Sequence, residues 1–467
     1  MKTGGHLYPT PWIRAWERID ADFDGHLEEI QRFLRCPTVS ASGDDMLAGA
    51  EHVAALIEGA GGKAEIVATA GHPAVLGHIG GDGPRLLRYG MYDVQPADEP
   101  GWSSPPFAAA TTDIPGAGPS VVARGAANSK GALSAFLLAV ASARRVSDLP
   151  VEIVLLVDGE EELGSPHLPG VMSARREELA AEAAFDLDLT ADREGVAEVY
   201  LGCKGIVSFV LRCSGGGWGG PVRRALHSSE GAVISSPAWS LVRALAALVE
   251  DARQGALDGL PAGSVPDGEE ELLDALARNF DPDAHLEETG ALAYSGPKDA
   301  RSILKALMYE PAVNLNGFSS GSLTGKTILP HEATAVLDVR VPYGTGIERL
   351  VAGIERSVAR AAPEVRVDDV QTCPPSRTTA GSRVARAMIE SQRDAGPPPR
   401  VWPSAPWWAP FYLFEESLGI PFASGGAGHA GGAHAADEYA TIEGLREHMH
   451  QSVAFLHRFA QAAAEAQ

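Results

Sequence analysis

The stretch VEIVLLVDGEEE, Val151 to Glu162, constrains the fold more than any other part of the chain. An almost unbroken apolar run reaches Gly159, and three glutamates follow it directly. Such a run reads as a buried strand, which needs covering layers on its faces. The flanking sequence supplies them. Trp16 to Leu34 carries Ile19, Phe23, Leu27, Ile30 and Leu34 at helical spacing. Met46 to Ala60 is a second helix, and Lys130 to Val146 a third, built on the apolar run Ala132 to Ala143. Ala64 to Val67, Ala74 to His78, Leu86 to Met91 and Leu187 to Ala191 read as short strands between glycine and proline turns. Strand alternating with helix predicts an α/β chain with an open sheet covered on both faces.

The pattern changes after Gly205. Ile206 to Cys213 alternates like a half-exposed strand, and the flexible tract SGGGWGG follows it. Pro237 to Arg253 reads as a helix, Ala333 to Val341 as a strand, Gly346 to Ala361 as a helix and Val365 to Val370 as a closing strand. Strand, helix, two strands, helix, strand is the pattern of a small α+β, ferredoxin-like module. From Ser382 the α/β pattern resumes with a helix, the strand-like IPFASGG and a last helix from Thr441 to Ala464. The expected division is therefore 1–205 and 374–467 for the larger domain, with 206–373 inserted.

Net charge of -23 argues against nucleic acid and anionic membranes, since both would repel the chain. The apolar run at Ala132 is too short for a bilayer, which takes ~20 residues. Cys36, Cys203, Cys213 and Cys373 form no CxxC pair, so a reducing cytoplasm is the expected setting.

Four polar or acidic loops follow expected strands, where open α/β sheets place their sites. They are YGMYDVQP from Tyr89, RGAANSKG from Arg124, DGEEELGS from Asp158 and LTADRE from Leu189. A fifth, GHAGGAHAADEY, runs from Gly428 to Tyr439 and carries His429 and His434. Each alone is a weak signal. A triple glutamate is most often a solvated turn, and a lone His227 beside a glycine tract is most often a surface histidine.

Together they form a pattern. From about Leu27 to about Phe455, the chain resembles the di-zinc exopeptidases and amidohydrolases of peptidase family M20, which include carnosinase-type dipeptidases, aminoacylases and glutamate carboxypeptidases. FLRCPTVSA, YGMYDVQPADEPGWSSPPF, GEEELGSPHL, the HSS at His227, NLNGF, KTILPHEATAVLDVRV and GAHAADEY carry the resemblance, and the YDVQPAD and EEELGSP strings point to the dipeptidase branch. The resemblance implies a mixed-sheet zinc-exopeptidase-like catalytic domain with an inserted lid and dimerisation domain. It assigns the general base to Glu161, metal ligation to Glu162, Asp192 and His434, and orientation of a ligand to Asp93. His227 falls where a lid histidine reaches a neighbouring subunit's site and steadies an oxyanion. Asn314 and Arg340 fall on groups that hold the substrate carboxylate, and Ser404 on a loop that contacts substrate, although PSAPWW departs from the family's GGSIP. A small substrate with a free carboxylate and a homodimer are implied as well.

Two ligand positions depart. Met91 stands where the family has a zinc-binding histidine, and Asn128 where it has the carboxylate that bridges both zincs. A thioether is a soft ligand suited to Cu(I). A neutral carboxamide cannot offset the repulsion of two dications as a carboxylate does. The expectation is one zinc or none rather than two. Three functions stay open on these residues: a hydrolase of dipeptides or N-acyl amino acids with an altered metal centre, a metal-independent biosynthetic enzyme using Glu161 for proton transfer on an amino-acid-like substrate, or a non-catalytic homologue that binds such ligands.

Overall fold

In the computed structural model, which describes residues 12–261, 263–323 and 325–464, the apolar run becomes the strand Glu152–Asp158, buried at every position after Glu152. It lies inside an eight-stranded mixed sheet ordered Lys63–Val67, Ala74–Ile79, Glu152–Asp158, Arg85–Met91, Ala183–Asp186, Phe422–Gly425, Glu198–Tyr200 and Arg400–Trp402. Arg85–Met91 runs parallel to both of its neighbours, so three adjacent strands end on the same edge. The helices Ile13–Leu34, Lys130–Arg144, Arg383–Ala395 and Ile442–Ala464 pack among themselves, and Phe136, Phe185 and Phe455 meet in the core with ring centroids 5.7 and 4.7 Å apart.

One strand differs from expectation. The sheet takes Ala183–Asp186, and Leu187 to Ala191 leaves it as loop. The buried Arg88 guanidinium explains the exit: it pairs with Asp186 and donates to the Leu187 carbonyl at 2.8 Å, which ends the ladder there. The sequence reading also missed a hairpin, Ala110–Ile114 with Gly118–Val122, onto which Tyr439–Thr441 and Ala430–Gly431 add. This small sheet fixes the loop that carries His434. Gly428, at φ +97°, allows that loop to start: a Cβ there would stand 2.2 Å from the Gly444 carbonyl oxygen.

The chain divides into two compact units, residues 1–202, 378–403 and 413–467 in one, and 203–377 with 404–412 in the other. The segment 404–412 groups with the second unit. The Lys204 amide donates to the Ala405 carbonyl at 3.0 Å and the buried Cys203 thiol to that of Ala409 at 3.6 Å, which ties the segment to that unit. The second unit holds a four-stranded antiparallel sheet ordered Ala312–Ser320, Glu332–Val341, Gly205–Ser214 and Val365–Cys373. Helices Pro237–Arg253 and Ile347–Ala361 pack on it, burying Leu241, Leu248, Leu350 and Ile354 against Val207, Phe209, Leu337 and Val339.

His448, fully buried on the last helix of the first unit, has its pKa pushed down to about 3, by burial first and then by Arg88. The unfolded chain protonates this imidazole near pH ~6.5 and the folded chain does not. Unfolding therefore takes up a proton between those values, and stability present above pH ~6.5 is lost as pH falls, by up to about 1.4 kcal/mol per pH unit. Denaturant titrations at pH 7, 6 and 5 are expected to give a shallower decline for His448→Gln than for the parent. Equal slopes would assign the acid sensitivity to other groups.

Candidate active site

Three parallel strands deliver the acidic loops to one edge. Asp93 follows Arg85–Met91, the glutamates follow Glu152–Asp158, and Asp188 follows Ala183–Asp186. Asp93 is fully buried and accepts the backbone amides of Glu161 and Glu162 at 3.1 and 3.0 Å. One carboxylate thus sets the direction in which both glutamates leave the strand. Burial, and then the neighbouring Asp158, push Asp93 up to about 8. Desolvation acts on Glu161 as well, and with Glu162, Asp93 and Asp158 close by it holds that carboxyl well above the usual carboxylate range.

Glu162 faces a different set. Its Oε2 accepts from Gln95 Nε2 at 2.8 Å, and its Oε1 accepts from Asn128 Nδ2 at 2.9 Å. His434 Nε2 lies 2.8 Å from the same Asn128 nitrogen and 3.1 Å from Glu162 Oε1. Its hydrogen bond to Glu162 raises the His434 pKa. With Nε2 protonated the imidazole donates to Glu162; with Nε2 bare it accepts from Asn128. Asn128 Oδ1 accepts from Ser129 Oγ at 3.0 Å, and that hydroxyl also lies 3.1 Å from Asp188 Oδ2. Asp188 is pushed up to about 7, by burial first and then by Asp186.

A buried network stands behind these groups. Glu438, with no exposed side chain, accepts the amides of Ala127 and Asn128 through Oε1, both at 2.9 Å, and Arg124 Nη1 through Oε2 at 2.8 Å. Arg124 also reaches Glu99 Oε1 at 2.5 Å and the Pro96 and Ala435 carbonyls at 3.0 and 3.2 Å. One guanidinium therefore joins the YGMYDVQPADE, RGAANSKG and GAHAADEY segments.

The profile of Peptidase family M20/M25/M40 matches residues 88–462. This chain belongs to that family. Among relatives of the M20/M25/M40 family, a Cys-Gly metallodipeptidase of Schizosaccharomyces pombe is 30% identical over 187 residues, covering 36% of this chain and 38% of that one. A Beta-Ala-His dipeptidase of Homo sapiens is 34% identical over 109 residues, 22% of this chain and 20% of that one. The chain thus spans between a fifth and two fifths of the length of these relatives. Solved structures match along their whole length. An M20 family metallo-carboxypeptidase from Sulfolobus solfataricus superposes with a TM-score of 0.83 at 28% identity, covering 93% of this chain and 99% of that one. Human carnosine dipeptidase 1 superposes at 0.74 with 18% identity, covering 96% and 99%, and so shares the fold.

Within this M20/M25/M40 chain, each residue that the resemblance assigned has its own set of partners. Asp192 lies in the loop that follows Ala183–Asp186. Its Oδ1 accepts the amides of Glu194 and Val196 at 3.0 and 2.9 Å, and its Oδ2 pairs with Arg400 at 2.6 Å. It closes its own turn, and Asp188 is the acid of that loop that touches Ser129. Met91 is buried in the last position of its strand, paired in register with Asp158. In the second unit, Asn314 Nδ2, Asn316 Nδ2 and Arg340 Nε converge on the buried Asp338 at 2.9, 2.7 and 3.2 Å. His227 is exposed and its Nδ1 accepts the Ser229 amide at 3.3 Å. Ser404 is buried, with its hydroxyl directed at the Ala405 carbonyl at 3.4 Å.

The sequence reading did not single out Gln95, Asp188, Glu438 and Arg124 as site residues. All four lie inside or beside the loops it marked, and only their contacts distinguish them. The metal ions named for two of these relatives do not fit the donors here. Among the described residues no group of three or more histidine, cysteine or acidic side chains could hold a metal ion. Asn128 turns its amide nitrogen, a donor without a lone pair to give, toward Glu162 and His434. Two ligands are too few for a zinc site, which takes three or four protein ligands.

Proposed function

We propose that this protein hydrolyses the amide bond of a small carboxylate-bearing substrate, a dipeptide or an N-acyl amino acid. The observation that carries the reading is the placement of Glu161: Asp93 holds its amide at the end of a parallel strand, where burial first and then neighbouring carboxylates raise its pKa. A base of raised pKa is the stronger base once ionised and the better proton donor afterwards. Glu161 takes a proton from the attacking water and returns it to the leaving nitrogen. Asn314 and Arg340, pre-set by Asp338, are the groups assigned to the substrate carboxylate, and His227 to the oxyanion. The reading includes a homodimer, because the resemblance brings His227 to a neighbour's site. A monodisperse monomer in light scattering removes that role.

A second reading, proton transfer without hydrolysis on an amino-acid-like substrate, is favoured by the amide of Asn128 facing two ligand-type side chains. One experiment separates the two. Dipeptides and N-acetyl amino acids are incubated in D₂O with the enzyme as purified and after chelator treatment, and followed by mass spectrometry. Cleavage that Glu161→Gln lowers by about 10²–10⁴-fold supports hydrolysis. Deuterium gain at Cα without cleavage, lost in the same variant, supports proton transfer. Neither event, with ligand binding lost in Arg340→Ala, would leave a binding protein.

A further inference from the structure

We propose that the carboxamide of Asn128 takes the place of a metal ion, so that this site is held together by hydrogen bonds and is stable without metal. Asn128 Nδ2, Glu162 Oε1 and His434 Nε2 form a triangle with sides of 2.9, 2.8 and 3.1 Å. A cation between a carboxylate and an imidazole attracts their lone pairs to one point. Here two amide hydrogens do so: one satisfies Glu162, and the other satisfies His434 whenever its Nε2 is bare. When Nε2 carries a proton, that proton goes to Glu162 and the pair is held by charge as well.

The orientation of the amide follows from what surrounds it. Asn128 Oδ1 receives the Ser129 hydroxyl at 3.0 Å, and its backbone amide is fixed by Glu438 at 2.9 Å. Glu162 Oε2 is fixed by Gln95 at 2.8 Å. To ligate a cation, Asn128 would have to turn its oxygen inward. That turn removes both donors from Glu162 and His434, while the Ser129 hydroxyl can still donate to Asp188. A metal therefore competes against a set of hydrogen bonds that is already complete. An aspartate at this position would do the opposite: it would place a second carboxylate against Glu162, with no donor between them, and would need a cation there.

The test is thermal unfolding of the full chain and of Asn128→Asp, each in 1 mM EDTA and in a tenfold excess of zinc, with metal content measured after desalting. The parent is expected to melt within about 1 °C in both media and to retain less than stoichiometric metal. Asn128→Asp is expected to melt at least about 3 °C lower in EDTA and to recover in zinc. A parent that carries one zinc or more per chain and melts lower in EDTA overturns the proposal, as does a variant as stable in EDTA as the parent. Should the aspartate variant fold in neither medium, Asn128→Ala removes both donors without adding charge. It is expected to melt below the parent and to gain nothing from EDTA, and equal melting would count against the proposal. No substrate enters these measurements, so failure of the hydrolytic reading leaves this inference intact, and the reverse.

Discussion

Replacing Arg124 by alanine is expected to cost the fold about 3–5 kcal/mol, the range for breaking a buried ion pair by removing one partner. The guanidinium is 1% exposed and Glu438 is fully buried, so the substitution leaves a buried carboxylate without its counter-charge. The damage would not stay local. Arg124 holds carbonyls at Pro96 and Ala435, pairs with Glu99, and lies 5.3 Å from the Trp102 ring centroid. Glu438 in turn fixes the amides of Ala127 and Asn128. Urea unfolding of the parent, Arg124→Ala, Glu438→Gln and the double variant forms a closed cycle. A coupling of about 2 kcal/mol or more between the two positions is expected, since both belong to one network. Additive losses would mean that Arg124 acts through Glu99 and the carbonyls and leaves Glu438 independent.

The second large effect concerns metal affinity. Met91→His with Asn128→Asp restores the two side-chain types that the family resemblance places at these positions. The double variant is expected to bind zinc at least about 100-fold more tightly than the parent, because each outright ligand gained adds more than the 10–100-fold typical of a supporting partner. Isothermal titration with zinc reads the change directly. The two substitutions should act unequally. Asn128 already stands against Glu162 and His434, so an aspartate there joins an existing pair. Met91 is buried beside Asp158, and a histidine there would have to settle among carboxylates before meeting a metal. On the Ser129 side, Asp188 Oδ2 lies 3.1 Å from the hydroxyl. Zinc binding no tighter than the parent's would show that these loops were matched to the family pattern wrongly.

Much of this protein was legible from the residues alone. The buried strand before the glutamates was fixed by apolar content over a length that only a covered sheet accommodates, and Glu152–Asp158 is that strand. Periodicity, a local property that needs no partner to be read, located Gly205–Ser214, Pro237–Arg253, Glu332–Val341, Ile347–Ala361 and Val365–Cys373, but not Ala312–Ser320. The family pattern also marked the loops at the strand ends before any contact was known.

Other features depended on contacts between residues far apart in sequence. The strand at Ala183–Asp186 ends where it does because Arg88, roughly a hundred positions earlier, takes its last carboxylate and the next carbonyl. The resemblance assigned Asp192 to a metal, and its ion pair with Arg400, about two hundred positions away, leaves no local trace in LTADRE. Glu438 looked like part of a polar loop until its burial against Arg124 showed that it anchors the site. The sequence by itself determined the fold class, the family and the chemical types gathered at the strand ends, because these follow from local pattern. Which acid faces which donor, and that Asn128 presents its nitrogen to both Glu162 and His434, only the tertiary structure decided, because hydrogen-bond direction is set by neighbours that the chain brings together on folding.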